Sequence, residues 1–184
     1  MSYFPFFTDI SDKTFLIIGG GNVAADKILR LKRFTDKIIV IAPETEIEGV
    51  RVIRKEYDST DLMLGDYIVA AVGVREIDRK IARDCRAAGI PVNVVDDIDY
   101  CDFIFPSIVK KGKLTVAIST SGSSPLYARM LREQLEEILP EDIEQILDEM
   151  QELRERTAGE VADQKERARI YREALLDKIA KGSV

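Results

Sequence analysis

Phe15-Leu16-Ile17-Ile18-Gly19-Gly20-Gly21-Asn22-Val23-Ala24 is the stretch that decides the fold. Its four apolar residues predict a short buried strand. The glycines then turn the chain, and Val23, Ala24, Ile28 and Leu31 open a helix with apolar residues at helical spacing. Strand, glycine turn and helix form the context in which G-x-G-x-x-G/A signals dinucleotide binding. Gly19 would allow the tight turn, Gly21 would let backbone approach a pyrophosphate, and Ala24 would let helix and strand pack closely. The N–H groups and positive dipole end at the start of that helix would hold the phosphates. Without a ligand, the same residues read as an ordinary glycine turn of an α/β protein.

Working outward, Lys37–Ala42 reads as a second buried strand, Val50–Arg54 as a short third and Tyr67–Val72 as a fourth, ending at Gly73. Arg75–Ala88 is an amphipathic helix stopped by Gly89. Ile77, Ile81, Ala82 and Cys85 form its apolar face. Pro91–Val95 is a fifth strand, ending in Asp96-Asp97. Strands alternating with helices predict a Rossmann-type, doubly wound parallel sheet covered on both faces.

Beyond residue 102 the pattern changes. Phe103–Val109 and Leu114–Ser119 are strand-like and joined by Lys110-Lys111-Gly112-Lys113, which predicts a hairpin. Ser124-Pro125 then starts a helix, with serine as cap and proline in the first turn. The remainder is helical, with one apolar stripe at Ile143, Ile146, Leu147, Met150 and Leu153 and another at Tyr171, Leu175, Leu176 and Ile179. Pro140 and Gly159 mark the expected breaks. The expected organisation is a dinucleotide-binding domain over residues 1–102, a hairpin-plus-helix dimerisation and substrate region over 103–140, and a C-terminal helical region over 141–184. So small a second region has little core of its own, which favours a homodimer built on residues after about Phe103, although the stripes also fit packing within one chain.

Composition narrows the chemistry. The 184 residues contain no histidine, so Ser-His and Cys-His catalysis are excluded and no metal site is expected. The two cysteines, Cys85 and Cys101, lack a C-x-x-C partner, and Cys85 reads as core packing on its helix. Proton transfer must then fall to carboxylates, lysines, tyrosines, hydroxyls or water. A net charge of −6 argues against nucleic-acid or anionic-membrane partners, and no apolar run approaches the length of a membrane span. No export signal is visible at the N-terminus, so the expected location is the cytoplasm.

In a doubly wound sheet, ligands lie beyond the carboxyl ends of the strands. Those ends are Gly19–Val23, Pro43-Glu44, Gly73 and Asn93–Asp97. Glu44 falls where an acidic residue would accept hydrogen bonds from an adenosine ribose, or it is an exposed loop charge. No Lys or Arg lies between Ala42 and Ile47 to meet a 2′-phosphate, which favours NAD over NADP. Asp96, carried to the rim of the crevice and partly desolvated there, is a candidate general base; the alternative is that the paired aspartates end a strand and cap a turn. In Ser119-Thr120-Ser121-Gly122-Ser123-Ser124-Pro125, hydroxyls and backbone N–H groups cluster at a helix start, suited to an anion or simply forming a capped loop. Arg129, Arg132, Lys110, Lys111 and Lys113 could add a local basic patch to an acidic chain.

The motifs Gly19–Ala24, Asn93-Val94-Val95-Asp96, Phe103-Ile104-Phe105-Pro106-Ser107 and Leu114–Pro125 occur in this order, followed by Leu126–Pro140. Together they resemble the precorrin-2 dehydrogenase family, the N-terminal module of siroheme synthases, from Phe4 to about Pro140. The resemblance implies an oxidoreductase of siroheme and related tetrapyrrole (porphyrin-type) biosynthesis that oxidises precorrin-2 to sirohydrochlorin with NAD, working as a homodimer with its site near the dimer interface. It implies that Asp96 is the key aspartate and that Asn22, Val23, Pro43 and Glu44 contact the dinucleotide. Asn93 and the loop Ser119, Thr120, Ser121, Gly122, Ser123 and Ser124 would meet the substrate, whose many carboxylates suit a hydroxyl-rich, locally basic loop. Two positions depart from the family pattern: Asn22 stands where some relatives have aspartate, and Thr120 where some have serine. Some family members also insert iron into the product, and here that activity rests only on Asp96 as a base for departing pyrrole protons. Other classes are a regulatory module that senses NAD without chemistry and a chelatase that has lost hydride transfer.

Overall fold

β1 (Phe15–Ile18) is the middle strand of a parallel five-stranded sheet. The computed structural model describes residues 3–182, so the outer limits expected at residues 1 and 184 lie outside the described residues. Around β1 stand β2 (Ile38–Ile41), β3 (Arg51–Ile53), β4 (Tyr67–Ala70) and β5 (Val92–Val94), in the order β3-β2-β1-β4-β5. Phe15 is in register with Ile38 on one side and Tyr67 on the other. The strand order reverses at β1, which makes the gap between β1 and β4 the crevice where such sheets take ligands.

Alternation of side chains along β1 divides its residues between the two faces. Leu16 and Ile18 pack with Ile81, Ala82 and Cys85 of α2 (Arg75–Ala88). Phe15 and Ile17 pack with Ala24, Ile28 and Leu31 of α1 (Asn22–Leu31). A strand covered on both faces has no polar side, which is why this run is uninterruptedly apolar. Burial of a side chain such as Leu16 or Ile17 contributes roughly 1.5–3 kcal/mol, and both are wholly removed from solvent. Cys85 is part of this core, and α2 stops at Gly89, whose φ of 70° closes the helix as its sequence position predicts.

One local expectation fails in this unit, and one element went unforeseen. Ile77, expected on the inner face of α2, is 40% exposed, whereas its neighbour Asp78 is buried. The Asp78 carboxylate accepts hydrogen bonds from the N–H groups of Val72 (2.9 Å) and Gly73 (3.1 Å), which turns that edge of the first helical turn toward the end of β4. Between β3 and β4 lies a 3-10 turn, Ser59–Leu64, without the periodicity that reveals a longer helix. Its Asp58 and Asp61 side chains reciprocally cap it, and Leu62 plugs the core.

The chain divides into two compact units, the first ending at Phe105 and the second beginning at Pro106. In the second, β6 (Ser107–Lys111) pairs antiparallel with β7 (Leu114–Ile118), Val109 opposite Val116. The strand begins later than Phe103, and Lys110 and Lys111 belong to it; the turn is Gly112-Lys113, with Gly112 at φ 49°. Phe103 lies instead edge-on to Tyr67 in the first unit, ring centres 5.6 Å apart.

Three helices follow: α3 (Pro125–Ile138), α4 (Ile143–Glu160) and α5 (Gln164–Gly182). Ser124 caps α3 as expected, its hydroxyl accepting from the Tyr127 N–H. Gly159 does not break the chain, because α4 runs through it to Glu160. One glycine costs a helix about 1 kcal/mol relative to alanine, too little to end one that packing supports. The break falls after Val161, where the Asp163 side chain accepts from the Lys165 N–H at the start of α5. Ile143 and Ile146 are buried, but Leu176 of the last expected stripe is 57% exposed. Among the described residues no helix is long and apolar enough to cross a membrane.

Candidate active site

The three glycines after β1 differ in what confines them. Gly19 has φ 119°, and a Cβ there would lie 2.1 Å from the Ala71 carbonyl oxygen. At Gly20 a Cβ would meet Thr45 at 2.6 Å and Ala42 at 2.8 Å. The Thr45 hydroxyl donates to the Gly20 carbonyl at 2.9 Å, tying the glycine turn to the loop after β2. Gly21 alone faces open space, with nothing within 4 Å of an added Cβ. It is also the residue before α1, and no side chain caps that helix, so its first N–H groups are left for a ligand or water. A pyrophosphate needs this combination of bare backbone and helix start, so the turn fits a dinucleotide. Pro43 and Glu44, in the loop after β2, are exposed, as is Asn22.

Gly73, beyond β4, is likewise open and has φ 82°, a conformation held from below by Asp78. Burial pushes the Asp78 carboxyl above the usual carboxylate range, and the two N–H bonds partly offset this. From Gly73 the wall continues into a cleft of about 410 Å³ within the first unit. Val23 lines it from α1, Ala71 and Gly73 from the end of β4, Arg75 and Asp78 from α2, and Val94, Val95, Asp96 and Asp97 from the end of β5. Val23, expected to help open an apolar helix face, is instead 45% exposed on this wall.

Asp96 has φ 58°, in the left-handed region, so the backbone bends sharply as β5 ends. It is exposed rather than partly desolvated; the buried carboxylate at this edge is its neighbour Asp97. Arg79 donates to Asp97 Oδ2 at 2.7 Å, and Arg75 approaches the same oxygen at 3.5 Å. These cations, Arg79 foremost, hold the Asp97 carboxyl below the usual range. Arg79 in turn lies 4.8 Å from the centre of the Tyr100 ring.

Asn93 is buried, and its amide donates to the Phe103 carbonyl at 2.9 Å. The Cys101 thiol accepts from the Val94 N–H at 3.1 Å and lies 3.2 Å from the Val94 carbonyl. Together these bonds brace the segment that carries Asp96. Lys27 is half-buried on α1, with its ammonium 4.6 Å from the Phe105 ring centre, and burial lowers its pKa.

The hydroxyl loop belongs to the second unit. Ser119 accepts from the Ser121 N–H, Thr120 from the Ser124 N–H, and Ser124 from the Tyr127 N–H. The loop's own hydroxyls thus occupy several N–H groups that the sequence suggested for an anion. Ser121 is left-handed at φ 52° and Gly122 at 84°, and Ser121, Gly122 and Ser123 are exposed at the tip. The expected basic patch is largely paired: Arg129 meets Glu133, Arg132 meets Glu133 and Glu136, and Lys113 meets Asp148. Among the described residues no group of three or more Cys, Asp or Glu side chains could hold a metal ion.

Thr45, Arg75, Asp78 and Cys101 were not among the site residues that the sequence suggested. Asp78 alone left a trace, as an acidic residue in the first turn of a helix that follows a glycine.

Residues 6–107 match the family described as "Putative NAD(P)-binding", and residues 111–138 match "Sirohaem biosynthesis protein central". A siroheme synthase of Neisseria meningitidis serogroup C is 36% identical over 151 residues, covering 78% of this chain and 32% of that protein. One from Methylococcus capsulatus is 35% identical over 183 residues, covering 95% of this chain and 39% of that protein. The chain therefore spans well under half the length of these curated relatives. A solved structure, "SirC, precorrin-2 dehydrogenase", superposes with a TM-score of 0.72 at 22% identity, covering 97% of this chain and 100% of that one, a likeness of fold.

Proposed function

The chain belongs to the NAD(P)-binding family that its residues 6–107 match, and from that premise we propose that it oxidises precorrin-2 to sirohydrochlorin with NAD. The observation that carries this reading is one cleft lined both by Val23, from the helix after the glycine turn, and by Asp96. Siroheme synthases at 36% and 35% identity supply the substrate class.

Gly19, Gly21, Asn22, Val23 and Gly73 would hold the pyrophosphate and nearer ribose, and Pro43 and Glu44 the adenosine end. NAD, when bound, supplies the hydride acceptor. Oxidation removes a hydride and a proton from the substrate, and Asp96, at the edge of the cleft, takes the proton. Asn93, whose amide donates to the Phe103 carbonyl, would meet the substrate beside Asp96. Ser119, Thr120, Ser121, Ser123 and Ser124 would offer hydroxyl donors, and Gly122 its backbone N–H, to the substrate carboxylates. The choice of NAD over NADP rests on Glu44 and on the lack of any cation between Ala42 and Ile47.

A homodimer built on the region after Phe103 is part of the same reading. Leu126, Tyr127, Met130 and Ile138 on α3 are exposed apolar residues that a second copy would cover. The three-part organisation, with residues 103–140 for dimerisation and substrate and 141–184 as a helical region, goes with it, as does a cytoplasmic location.

Anaerobic turnover of freshly generated precorrin-2 with NAD, in the presence and absence of ferrous or cobalt ion, tests the proposal. NAD-dependent formation of sirohydrochlorin is expected, with Asp96→Ala binding NAD normally but dehydrogenating poorly. NAD binding without turnover would turn the reading to a sensor. Metal insertion without NAD would turn it to a chelatase.

A further inference from the structure

Arg75 sits where local helix preferences argue against it. It is the first residue of α2, at the positive end of the helix dipole, in a turn that otherwise carries Glu76 and Asp78. A residue that breaks a local rule calls for a compensating role, and such exceptions collect at functional sites. Its guanidinium does not serve as the main support of Asp97. Arg79 grips that carboxylate at 2.7 Å and is itself packed against Tyr100, whereas Arg75 stands at 3.5 Å with its side chain 74% exposed.

Arg75 lines the same cleft as Asp96, and it is the one cation on that wall among the described residues. Elsewhere, three of the cations that the sequence offered to a polyanion, Arg129, Arg132 and Lys113, meet glutamates of α3 or an aspartate of α4. An acidic chain that takes a polycarboxylate needs a cation beside the reacting carbon, since Asp96 alone would repel the substrate. A guanidinium does this better than an ammonium, because it holds a carboxylate in a two-pronged, planar contact.

Resting on the function proposed above, we propose that Arg75 anchors a carboxylate of the tetrapyrrole at the mouth of the cleft, next to Asp96. It is a substrate-binding residue, and Arg79 retains Asp97 when Arg75 turns to the ligand.

The test compares wild type, Arg75→Gln and Arg75→Lys in three measurements: NAD affinity, sirohydrochlorin affinity by fluorescence, and KM for precorrin-2. Loss of one charge-assisted contact predicts a roughly 10- to 100-fold weaker sirohydrochlorin affinity and a matching rise in KM for Arg75→Gln. NAD affinity should be unchanged, and Arg75→Lys should recover part of the loss. Unchanged sirohydrochlorin affinity and KM in Arg75→Gln would overturn the assignment. So would a loss confined to NAD, which would make Arg75 a pyrophosphate contact. If wild type binds sirohydrochlorin but turns over no precorrin-2, the dehydrogenase reading fails while the binding comparison still decides the role of Arg75.

Discussion

Replacing Gly19 and Gly21 separately by alanine should split folding from cofactor binding, although the two lie two residues apart. At Gly19 the new Cβ would stand 2.1 Å from the Ala71 carbonyl oxygen and 2.4 Å from its carbon, both backbone atoms of the neighbouring chain segment. Neither can rotate away, so the end of β4 or the turn must move. Overpacking of this kind costs about 1–3 kcal/mol, and holding a non-glycine residue at φ 119° adds about 1–2 kcal/mol. Gly19→Ala should therefore lose about 2–5 kcal/mol of unfolding free energy. Gly21 has nothing within 4 Å and an extended backbone, φ −86°. There a weaker helix cap and a less flexible unfolded chain oppose each other, each below about 1 kcal/mol, so stability should scarcely change. Instead the methyl group would occupy the space that lets a pyrophosphate reach the backbone, weakening NAD binding roughly 10- to 100-fold through one or two lost charge-assisted contacts. Urea unfolding gives the first quantity and calorimetric titration with NAD the second. A Gly21→Ala protein that binds NAD like wild type would refute the placement of the dinucleotide, and an undiminished stability of Gly19→Ala would refute the packing of the turn against β4.

Asp78→Ala would leave the Val72 and Gly73 N–H groups without their acceptor, so the unfolding free energy should drop by about 2 kcal/mol and NAD affinity should fall as the Gly73 turn loosens. Equal urea midpoints and equal affinities would show that the turn holds itself. The Asp97 carboxyl is held below its ordinary value of 3.8 by Arg79 and Arg75. Its contribution is thus complete above that value and lost as pH falls through the lower folded-state value. Between about pH 5 and pH 3 the wild-type urea midpoint should decline more steeply than that of Asp97→Asn, and parallel declines would remove the ion pair from the account. Cys85 is fully buried, with its thiol pushed up to about 12 by that burial, so thiol alkylation followed by mass spectrometry should find it unmodified in the native protein near pH 8 and modified in urea. Rapid native-state modification would mean that α2 does not pack as described.

The parallel sheet was legible in the sequence because each strand is buried on both faces, and burial on both faces writes itself as an apolar run. Gly19 in the glycine turn and Gly89 were legible for a related reason: few residues other than glycine tolerate their positive φ. Gly159 misled because a glycine in the middle of a helix costs less than helix packing returns, so composition alone does not mark a break. Ile77 and Asp78 exchanged places because a hydrogen bond to a neighbouring strand end outweighed the apolar period by one position.

Sequence by itself determined the strand–glycine–helix unit, the parallel sheet and the identity of Asp96 as a residue at a strand end, since local backbone freedom and the period of burial decide all three. Tertiary structure alone decided which of three adjacent glycines is open to a ligand, that Asp97 is the buried carboxylate while Asp96 is exposed, and that Arg75 and Asp78 share a cleft with Asp96. The first depends on contacts of the glycine turn with Ala42, Thr45 and Ala71, the others on contacts between α2, β4 and β5. Contacts between separate elements leave no periodic trace along the chain.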